Sequence, residues 1–375
     1  MTNPRNDSNR AYYDGEIPWL MIEDLNDGIV STSRKTITKA GLENSSAKLV
    51  PPGTLVIAMY GSIGKLGITS IECATNQAIA FCKCDREKVD VRYLYFYLLS
   101  IRDWLLSQGR GGTQQNITQE FLKNAPIKLP ELLEQKRIAT ILNKANRLRR
   151  LRRYALELSD TFLQSVFLGM FGDPATNPKG WLVGELQELC SVIVDCPHAT
   201  PNYENQTTEY AVIRSSDIQD GYLDWSTTLY VNKVEYTRRI ERTIPIADDV
   251  IYCREGARYG NAARIPPGRK VCLGQRMMLL RASGSVATPE YLWALCQSKS
   301  TLTQAEKWAG GSASPHVNVQ DIKEFHAIIP PLSLQERFTL IVRKQDLLRK
   351  EMFEAVRLSD HAFESLINLS FEKVS

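Results

Sequence analysis

Residues 129–173 read LPELLEQKRIATILNKANRLRRLRRYALELSDTFLQSVFLGMFGD, and this stretch decides the fold. It contains neither glycine nor proline between residues 131 and 168, so nothing interrupts a helix for about ten turns. Apolar residues recur at alternating three- and four-residue spacing, which is typical of a helix whose seam faces one partner in a coiled coil. The predicted seam consists of Ile138, Ile141, Ala145, Leu148, Ala155, Phe162 and Val166.

The same stretch recurs without a gap at residues 330–371, as PPLSLQERFTLIVRKQDLLRKEMFEAVRLSDHAFESLINLSF. Aligned at an offset of 200, the two stretches have identical residues at several positions, for example Gln135 with Gln335 and Phe171 with Phe371. The second seam, in the same frame, consists of Phe338, Ile341, Leu348, Met352, Ala355, Ala362 and Leu366. The chain is therefore predicted to carry two long helices of matching register.

The blocks that precede the two helices also match. Residues 17–128 hold short apolar runs broken by Gly, Pro and Ser, which predict strands and turns. A helix is predicted at 91–106, a Gly-rich loop at 109–118 and a strand at 126–130. Residues 183–329 give the same order, with a helix at 288–308.

Landmarks within the two blocks pair in the same order along the chain. GSIG at 61–64 matches GARYG at 256–260, Asn76-Gln77 matches Gly274-Gln275, and Asn116 matches Asn318. Such ordered matches indicate a tandem duplication.

The predicted fold class is α/β (α+β), a tandem pseudo-two-fold repeat of two domains separated by two long antiparallel coiled-coil helices. The predicted domains are 1–130, helix one at 131–171, a second domain at 172–330 and helix two at 331–375. If the helices pair along their seams they run antiparallel and place the two domains at opposite ends of a rod of roughly 55 Å. Because the groove of B-DNA repeats about every 34–36 Å, two such domains could read two half-sites.

Composition limits the class of protein. With 43% hydrophobic and 23% charged residues in a chain of 375, two or more soluble domains are expected. No apolar run is long enough for a membrane span, and the polar start predicts no signal peptide. The cysteines, without a CxxC pair, are interpreted as reduced and cytosolic.

Charge is concentrated in one run. The formal net charge is only +4, but residues 136–153 contain eight Lys or Arg and no acidic residue. The run could be a solvated helix face, a surface that follows the DNA backbone, or a surface that meets an acidic partner. The sequence leaves these alternatives open.

Motifs that would indicate catalysis or a metal are missing or incomplete. GSIGK at 61–65 lacks the first glycine and the final Ser/Thr of a phosphate loop. Cys190, Cys196 and His198 lack a second ligand pair for zinc, and Glu134 and Lys136 fit a helix surface better than a nuclease site. A Gly-rich S-adenosylmethionine loop and an Asn/Asp-Pro-Pro-aromatic tetrapeptide are also missing. We expect no metal, no cofactor and no catalysis in this chain.

DNA readout uses Arg or Lys for guanine, Asn or Gln for adenine, and cations for phosphates. Both Gly-rich loops and their surroundings supply such residues. In the first block these are Lys65, Asn76, Gln77, Arg110, Gln114, Gln115 and Asn116. In the second block these are Arg254, Arg258, Tyr259, Arg264, Gln275, Arg276, His316 and Asn318. Asn76, Gln77 and Gln275 could instead be internal hydrogen-bonding residues of the fold.

LPELLEQKRIATIL at 129–142, FGDPATNPKGW at 171–181, PPLSLQERF at 330–338 and the two GxxG blocks together resemble the specificity subunits of type I restriction-modification enzymes. The resemblance covers nearly the whole chain. It implies two target-recognition domains and two helical spacers, no catalysis, and recognition of a bipartite, asymmetric site in double-stranded DNA where adenine is methylated. It also implies two docked methyltransferase subunits, which would hold S-adenosylmethionine, and restriction subunits bound through them.

The helix residues expected to meet these partners are Gln135, Arg137, Arg149, Arg150, Gln335 and Arg337. The alternatives are a stand-alone two-headed DNA-binding protein and a nuclease or methyltransferase acting alone. The first lacks a helix-turn-helix signal, and the second lacks an active-site motif.

One departure from the repeat affects the first domain. FGDPATNPKGWLVGELQELC precedes the second block, whereas only the polar MTNPRNDSNRAYYDGE precedes the first. We therefore expect either that the first domain lacks an edge strand or that a partner completes this domain.

Overall fold

The computed structural model describes residues 10–109, 116–309 and 316–372, apart from the side chain of Asp160. The chain divides into two units. Unit 1 comprises Met1–Arg153 with Glu354–Ser375, and unit 2 comprises Tyr154–Phe353. Each unit thus combines one block of the repeat with parts of both long helices, and the domain boundaries at 130, 171 and 330 stay predictions. Within the described ranges, no helix has both the length and the apolar composition that a bilayer crossing requires.

Unit 1 consists of two four-stranded sheets with helices beside them. Its strands are β1 (Tyr13–Leu20), β2 (Gly28–Val30), β3 (Lys35–Ile37), β4 (Lys48–Val50), β5 (Leu55–Ala58), β6 (Leu66–Thr69), β7 (Cys73–Thr75) and β8 (Ile79–Cys82). Its helices are α1 (Lys39–Glu43), α2 (Val91–Ser100), α3 (Arg102–Ser107), α4 (Gln119–Asn124) and the first part of α5 (Leu132–Phe171). The sheet orders are β3-β1-β7-β4 and β2-β6-β5-β8. β5 and β6 are buried along their whole length, which explains why they read as continuous apolar runs.

Unit 2 is larger but repeats the plan. Its strands are β9 (Leu182–Glu185), β10 (Cys190–Asp195), β11 (Tyr203–Glu204), β12 (Tyr210–Ile213), β13 (Ile218–Gln219), β14 (Tyr222–Leu223), β15 (Leu229–Val231), β16 (Val250–Cys253), β17 (Ala262–Arg264), β18 (Lys270–Leu273), β19 (Met277–Ala282) and β20 (His326–Ile329). Its helices are α6 (Lys233–Arg239), α7 (Pro289–Cys296), α8 (Lys299–Ala309), α9 (Val319–Lys323) and the first part of α10 (Leu332–Glu372). Its sheet orders are β10-β19-β16-β17 and β11-β15-β12-β18, with pairs β13-β14 and β20-β9. The mixed α/β class and the tandem repeat predicted from the sequence are confirmed.

The helices predicted at 91–106 and 288–308 are each broken once. α2 ends before Ile101, and α7 ends at Cys296 before α8 begins at Lys299. Serine hydroxyls lie at both breaks. Ser100 Oγ donates to the Tyr97 carbonyl, and Ser298 Oγ accepts from the Thr301 amide. Such side chains compete with the helical hydrogen-bond pattern and end a helix that apolar periodicity alone would continue.

The strand predicted at 126–130 is absent in unit 1, although its counterpart β20 is present in unit 2. β20 pairs with β9, which belongs to the segment that follows α5. Among the described residues of unit 1, residues 126–130 have no such partner strand, and Ile127 and Leu129 are exposed. The expectation that the first domain lacks an edge strand agrees with this difference.

The FGDPATNPKGW motif caps the C-terminal end of α5. Gly172 adopts φ +82 directly after Phe171, a left-handed cap that glycine favours at a helix C-terminus. Trp181 Nε1 donates to the Phe171 carbonyl at 2.8 Å, and Asn177 Nδ2 donates to the Trp181 carbonyl at 2.8 Å. Lys179 Nζ binds the Gly169 carbonyl at 2.8 Å. The motif therefore binds carbonyl groups at the end of the helix and turns the chain into β9.

The helix parts run antiparallel within each unit. In unit 1, Arg152 Nη1 donates to the Ala355 carbonyl at 3.0 Å, while Ile138 packs in one cluster with Phe371. In unit 2, Gln345 Nε2 donates to the Ser159 carbonyl at 3.3 Å, and Phe338 packs on Phe167. In both cases later residues of α5 meet earlier residues of α10.

The predicted seam frame is partly wrong. Ile141, Leu148 and Phe162 are exposed, and the buried or half-buried residues are their neighbours Leu142, Arg149 and Leu163. In α10, Leu348 and Ala362 are likewise exposed. The seam accommodates polar residues such as Asn146, Ser159 and Gln345, so the most apolar frame is not the packed one.

Candidate nucleic-acid interface

Three segments of unit 1 converge through backbone contacts. They are the glycine turn (residues 59–65), the linking turn that connects β7 to β8 (residues 76–78) and the return segment after the Gly-rich loop (residues 116–118). The Met59 amide donates to the Ala78 carbonyl at 2.8 Å, and the Ile117 amide donates to the Met59 carbonyl at 3.0 Å. An isolated bridge joins Tyr60 to Asn116.

Unit 2 repeats these contacts with its own glycine turn (254–260), linking turn between β18 and β19 (274–276) and return segment (316–318). The Arg254 amide donates to the Arg276 carbonyl at 3.0 Å, and the Val317 amide donates to the Arg254 carbonyl at 3.0 Å. The matching isolated bridge joins Glu255 to His316. The landmarks paired in the sequence therefore form one surface in each unit, here called the three-segment surface.

Glycine is required in both glycine turns. Gly61 and Gly64 adopt φ +63 and +77, and Gly256 and Gly260 adopt φ +82 and +86. These left-handed conformations are strained for residues with a side chain. The Gly64 amide donates to the Ala58 carbonyl, which closes the turn between β5 and β6. The GSIGK sequence is thus a tight turn between two strands.

The first set of predicted DNA-binding residues divides into three groups. Asn76 is an internal turn residue, because its Oδ1 accepts from the Ala78 amide at 3.0 Å and its Nδ2 contacts Met21 Sδ. Gln77 is exposed and Lys65 half-buried, and neither side chain has a hydrogen bond to the described part of the chain. Asn116 is half-buried in the return segment. Arg110, Gln114 and Gln115 lie outside the described residues.

In the second set, two arginines are internal. Arg254 is 2% exposed and forms ion pairs with Asp195 at 3.0 Å and Glu255 at 2.7 Å. Its guanidinium therefore holds Asp195 and Glu255 in place beneath the three-segment surface and is not available to DNA.

Arg264 pairs with Asp248 and the fully buried Glu290, each at 3.3 Å, and with Asp346. Burial raises the pKa of Asp346 although Arg264 opposes the shift. The direct DNA contact predicted for Arg264 does not fit this burial.

The side chains of three further residues of the second set contact other parts of unit 2. Arg258 Nη1 donates to the Ser216 and Ile218 carbonyls, each at 3.1 Å, and Gln275 Nε2 donates to the His198 carbonyl at 2.6 Å. Tyr259 packs against the hydrophobic core of unit 2.

Three exposed residues complete the second set. His316 lies 3.2 Å from Asn318 Oδ1, and Asn318 precedes α9. Arg276 is exposed and has no side-chain hydrogen bond or ion pair among the described residues.

Two surface residues were missed as DNA-contact candidates. His198, considered only as a metal ligand, is exposed beside Gln275, and its Nε2 lies 3.1 Å from Asp195 Oδ2. Tyr60 is exposed at the start of the glycine turn and bridges to Asn116. The position of Tyr60 directly before Gly61 was the one available signal. Nothing in the local sequence indicates that His198 reaches the linking turn.

Comparisons with known proteins agree on one family. The model of the type I restriction modification DNA specificity domain matches residues 2–155 and 178–348. The chain belongs to this specificity-subunit family. It is 22% identical to the type I restriction enzyme MjaIX specificity subunit of Methanocaldococcus jannaschii, over 89% of this chain and 81% of that protein. It is 29% identical to the EcoR124I/EcoR124II specificity subunit of Escherichia coli, over 35% of this chain and 33% of that protein.

Solved structures share the fold of this specificity subunit. The S subunit of a type I restriction-modification system from M. genitalium matches with a TM-score of 0.58 and 14% identity, covering 96% of this chain and 94% of that chain. A chain from a structure of complex assembly and conformational transition in the type I R-M system matches with a TM-score of 0.52 and 15% identity, covering 95% and 91%. The two mixed domains are thus the tandem recognition domains of a specificity subunit.

The helix residues predicted to contact partner subunits have different environments. Gln135 and Gln335 are buried, at 1% and 0% exposure, so their side chains are internal. Arg137 is exposed and pairs with Glu134 at 2.6 Å. Arg337 is exposed beside an apolar groove in unit 2.

The two adjacent arginines of the basic run also differ. Arg149 is half-buried with its guanidinium 4.2 Å from the centre of the Phe363 ring, and burial lowers its pKa. Arg150 is exposed, and its guanidinium lies over Gly28, where an added Cβ would come within 2.0 Å. A role at a partner surface therefore fits Arg150 and does not fit Arg149.

Among the described residues, the long helices of the specificity subunit carry exposed leucines on faces that do not pack against the core of either unit. In unit 2, Leu340 and Leu347 of α10 are 71% and 68% exposed, and they point away from the buried Phe338, Val342 and Gln345. In unit 1, Leu148 and Leu151 of α5 and Leu358 and Leu369 of α10 are also exposed. Apolar residues repeated along one helix face are typical of a surface that another protein covers.

Proposed function

We propose that this chain is the non-catalytic DNA-recognition subunit of a type I restriction-modification complex. Each three-segment surface contacts one half of a bipartite, asymmetric site in double-stranded DNA. The main support for this proposal is that equivalent backbone hydrogen bonds assemble the surface in both units, whereas the side chains on it differ. Equal frameworks with different side chains suit the reading of two different half-sites.

The proposal assigns DNA contact to the accessible residues of the two surfaces. These are Lys65, Gln77, Asn116, Arg258, Gln275, Arg276, His316 and Asn318, with Tyr60 and His198 added. Asn76, Arg254 and Tyr259 serve as supports, because their side chains are engaged inside their own units. Arg110, Gln114 and Gln115 remain proposed contacts from the sequence alone.

The exposed apolar helix faces and Arg137, Arg150 and Arg337 are assigned to methyltransferase subunits. Two such subunits would bind, hold S-adenosylmethionine and carry the restriction subunits, and the complex would act in the cytoplasm. An amphipathic helix with a second apolar face is stabilised when another helix covers that face. The exposed leucines favour this assembly over a stand-alone DNA-binding protein, which would leave them in water.

The test is co-expression with the cognate methyltransferase subunit, followed by purification and mapping of methylated adenines in cellular DNA. We expect a complex with two methyltransferase subunits and a split, asymmetric motif that disappears when this chain is deleted. Replacing residues 53–129 with the matching block of another specificity subunit should change one half of the motif. A lone chain, with methylation unchanged by its deletion, would refute the proposal.

Docking is tested separately with a double variant, Leu340→Asp with Leu347→Asp. Charges on this face should prevent co-purification of at least one methyltransferase subunit, because a buried unpaired carboxylate opposes the contact. Val234→Asp is the matched control, since Val234 is 80% exposed on α6 of the recognition domain. Equal yields of complex from the double variant and the control would exclude this face.

A further inference from the structure

The arginines of the second recognition set differ in what remains free to bind a ligand. The guanidinium groups of Arg254 and Arg264 are ion-paired inside unit 2, and that of Arg258 binds two backbone carbonyls. Arg276 is exposed, and the described part of the chain offers its guanidinium no hydrogen bond or ion pair. Among the described residues, none therefore occupies the donors of this guanidinium at the three-segment surface.

The backbone of Arg276 is held in an unusual conformation. Its φ is +71, and every other described non-glycine residue with positive φ is Asp or Asn. Asp and Asn tolerate this region, whereas a long side chain there costs about 1–2 kcal/mol. The backbone is held on both sides, because the preceding Gly274 amide donates to the Ile213 carbonyl at 2.8 Å and the Arg276 carbonyl accepts from the Arg254 amide at 3.0 Å. Strain of this kind is characteristic of functional positions.

Unit 1 places a different side chain on the equivalent linking turn. The bond from the Met59 amide to the Ala78 carbonyl matches the bond from Arg254 to Arg276, so Ala78 occupies the place of Arg276. The preceding Gln77 is exposed and unbonded among described residues, while its counterpart Gln275 is tied to the His198 carbonyl. Within the described ranges, the linking-turn side chain without a partner is therefore a glutamine in unit 1 and an arginine in unit 2.

We propose that Gln77 and Arg276 determine base identity, Gln77 reading an adenine in one half-site and Arg276 a guanine in the other. The proposal rests on the proposed DNA-recognition function. A glutamine amide can pair with N6 and N7 of adenine, and a guanidinium can pair with O6 and N7 of guanine in the major groove. Both need a fixed backbone, which the linking turn provides through its bond to the glycine turn. A phosphate contact carries no sequence information, so the different side chains that the two units place on equivalent linking turns favour base reading.

The decisive variant is Arg276→Gly in the full chain, co-expressed with its methyltransferase subunit. Glycine removes the guanidinium and accepts φ +71 without strain, so the fold should be retained or stabilised. We expect the wild-type motif to contain a guanine in the half read by unit 2, and the variant to lose preference at that position by about 5- to 150-fold. Gln77→Ala should relax one adenine position in the other half only. Arg269→Ala is the control, because Arg269 is exposed but packs on Trp225.

Other outcomes would overturn the inference. If methylation of cells is lost with Arg276→Gly, binding of the purified complex is measured on duplexes that differ at single base pairs of the wild-type motif. Equal weakening on every duplex would place Arg276 on a phosphate, and unchanged discrimination would remove it from recognition. A wild-type complex without any motif dependent on this chain would instead refute the proposed function itself.

Discussion

Gln135 and Gln335, 200 positions apart, make the same three hydrogen bonds in the two units. Gln135 accepts from the Asp90 amide at 2.9 Å and donates to the Lys88 and Pro130 carbonyls at 2.9 and 2.8 Å. Gln335 accepts from the Thr288 amide at 3.0 Å and donates to the Val286 and Pro330 carbonyls, each at 2.9 Å. One buried amide thus joins the start of each long helix to the start of the α2 or α7 helix of its recognition domain.

Replacing Gln135 with leucine should weaken this junction in unit 1. Leucine is apolar and leaves one amide and two carbonyls without their partner, which should cost about 3 kcal/mol. Hydrogen exchange of the amide of Asp90 and its neighbours should accelerate, while the amides around Thr288 in unit 2 should be unaffected. Gln164→Leu is the control, because Gln164 is exposed on the same helix. Unchanged exchange at Asp90 would show that the three bonds do not hold the junction.

The sequence was sufficient to find the repeat but not to decide which repeated residues face inward. The repeat pairs Gln135 with Gln335 and predicts that both contact partner subunits, but both are buried, because identity between repeats does not report burial. The seam shows the same limit. Ile141 and Leu142 are both apolar neighbours on the helix, and Leu142 is the buried one. Only tertiary packing separates two adjacent frames of similar hydrophobicity.

The candidate site was predictable as a set of segments and not as a set of side chains. The ordered landmarks correctly identified the glycine turn, the linking turn and the return segment. Asn76 accepts from the Ala78 amide two residues away, which agrees with the internal role that the sequence offered as an alternative. Arg254 and Arg264 could not be separated from Arg276, because their partners Asp195 and Glu290 are distant in sequence. Which residues remain free is determined by these long-range contacts.

Arg264 should be a stability residue. Arg264→Ala would leave the largely buried Asp346 without its ion-pair partner and Glu290 with Arg343 alone, which should destabilise unit 2 by about 3 kcal/mol. Arg269→Ala is the matched control and should cost no more than about 1 kcal/mol, since it removes only a contact with the Trp225 ring. Urea unfolding of the full chain, followed by tryptophan fluorescence, compares the two variants.

The loss at Arg264 should also depend on pH. Burial already raises the pKa of Asp346, and removing Arg264 should raise it further. An acid whose pKa is higher in the folded state binds a proton preferentially on folding, so it adds stability as the pH falls. The defect of Arg264→Ala should therefore shrink from pH 7 towards pH 5. A defect that is constant over this range would mean that the carboxylates are not the cause.

Arg149 and Arg150 should respond differently to reversal of charge. Arg149→Glu would lose the bond to Asn146 and the Phe363 ring and would face Asp360, at a cost of about 2–3 kcal/mol in unit 1. Arg150→Glu should leave the fold intact and weaken DNA binding or assembly at low salt, where surface charges act over longer distances. Thermal unfolding and co-purification of each single variant measure the two effects. Equal effects on stability would contradict the assignment of Arg149 to the seam.

Cys82 should be the most reactive described thiol near neutral pH. The Cys84 thiol donates to Cys82 Sγ at 3.5 Å, and this hydrogen bond lowers the pKa of Cys82 to about 7 although burial opposes the shift. Cys82 is also exposed, whereas burial raises the pKa of Cys73 to about 11. Since the thiolate is the nucleophile, alkylation of Cys82 by iodoacetamide should rise through pH 7, well below the ordinary thiol value of about 8.5.

Cys84→Ala separates the hydrogen bond from exposure alone. Without the donor, the pKa of Cys82 should return towards its ordinary value, and its alkylation rate at pH 7 should fall several-fold because less thiolate is present. Peptide mass spectrometry resolves the two sites, and Cys73 should stay unlabelled in both proteins as the internal reference. An unchanged pH profile in Cys84→Ala would mean that the reactivity of Cys82 comes from its solvent exposure and not from its neighbouring thiol.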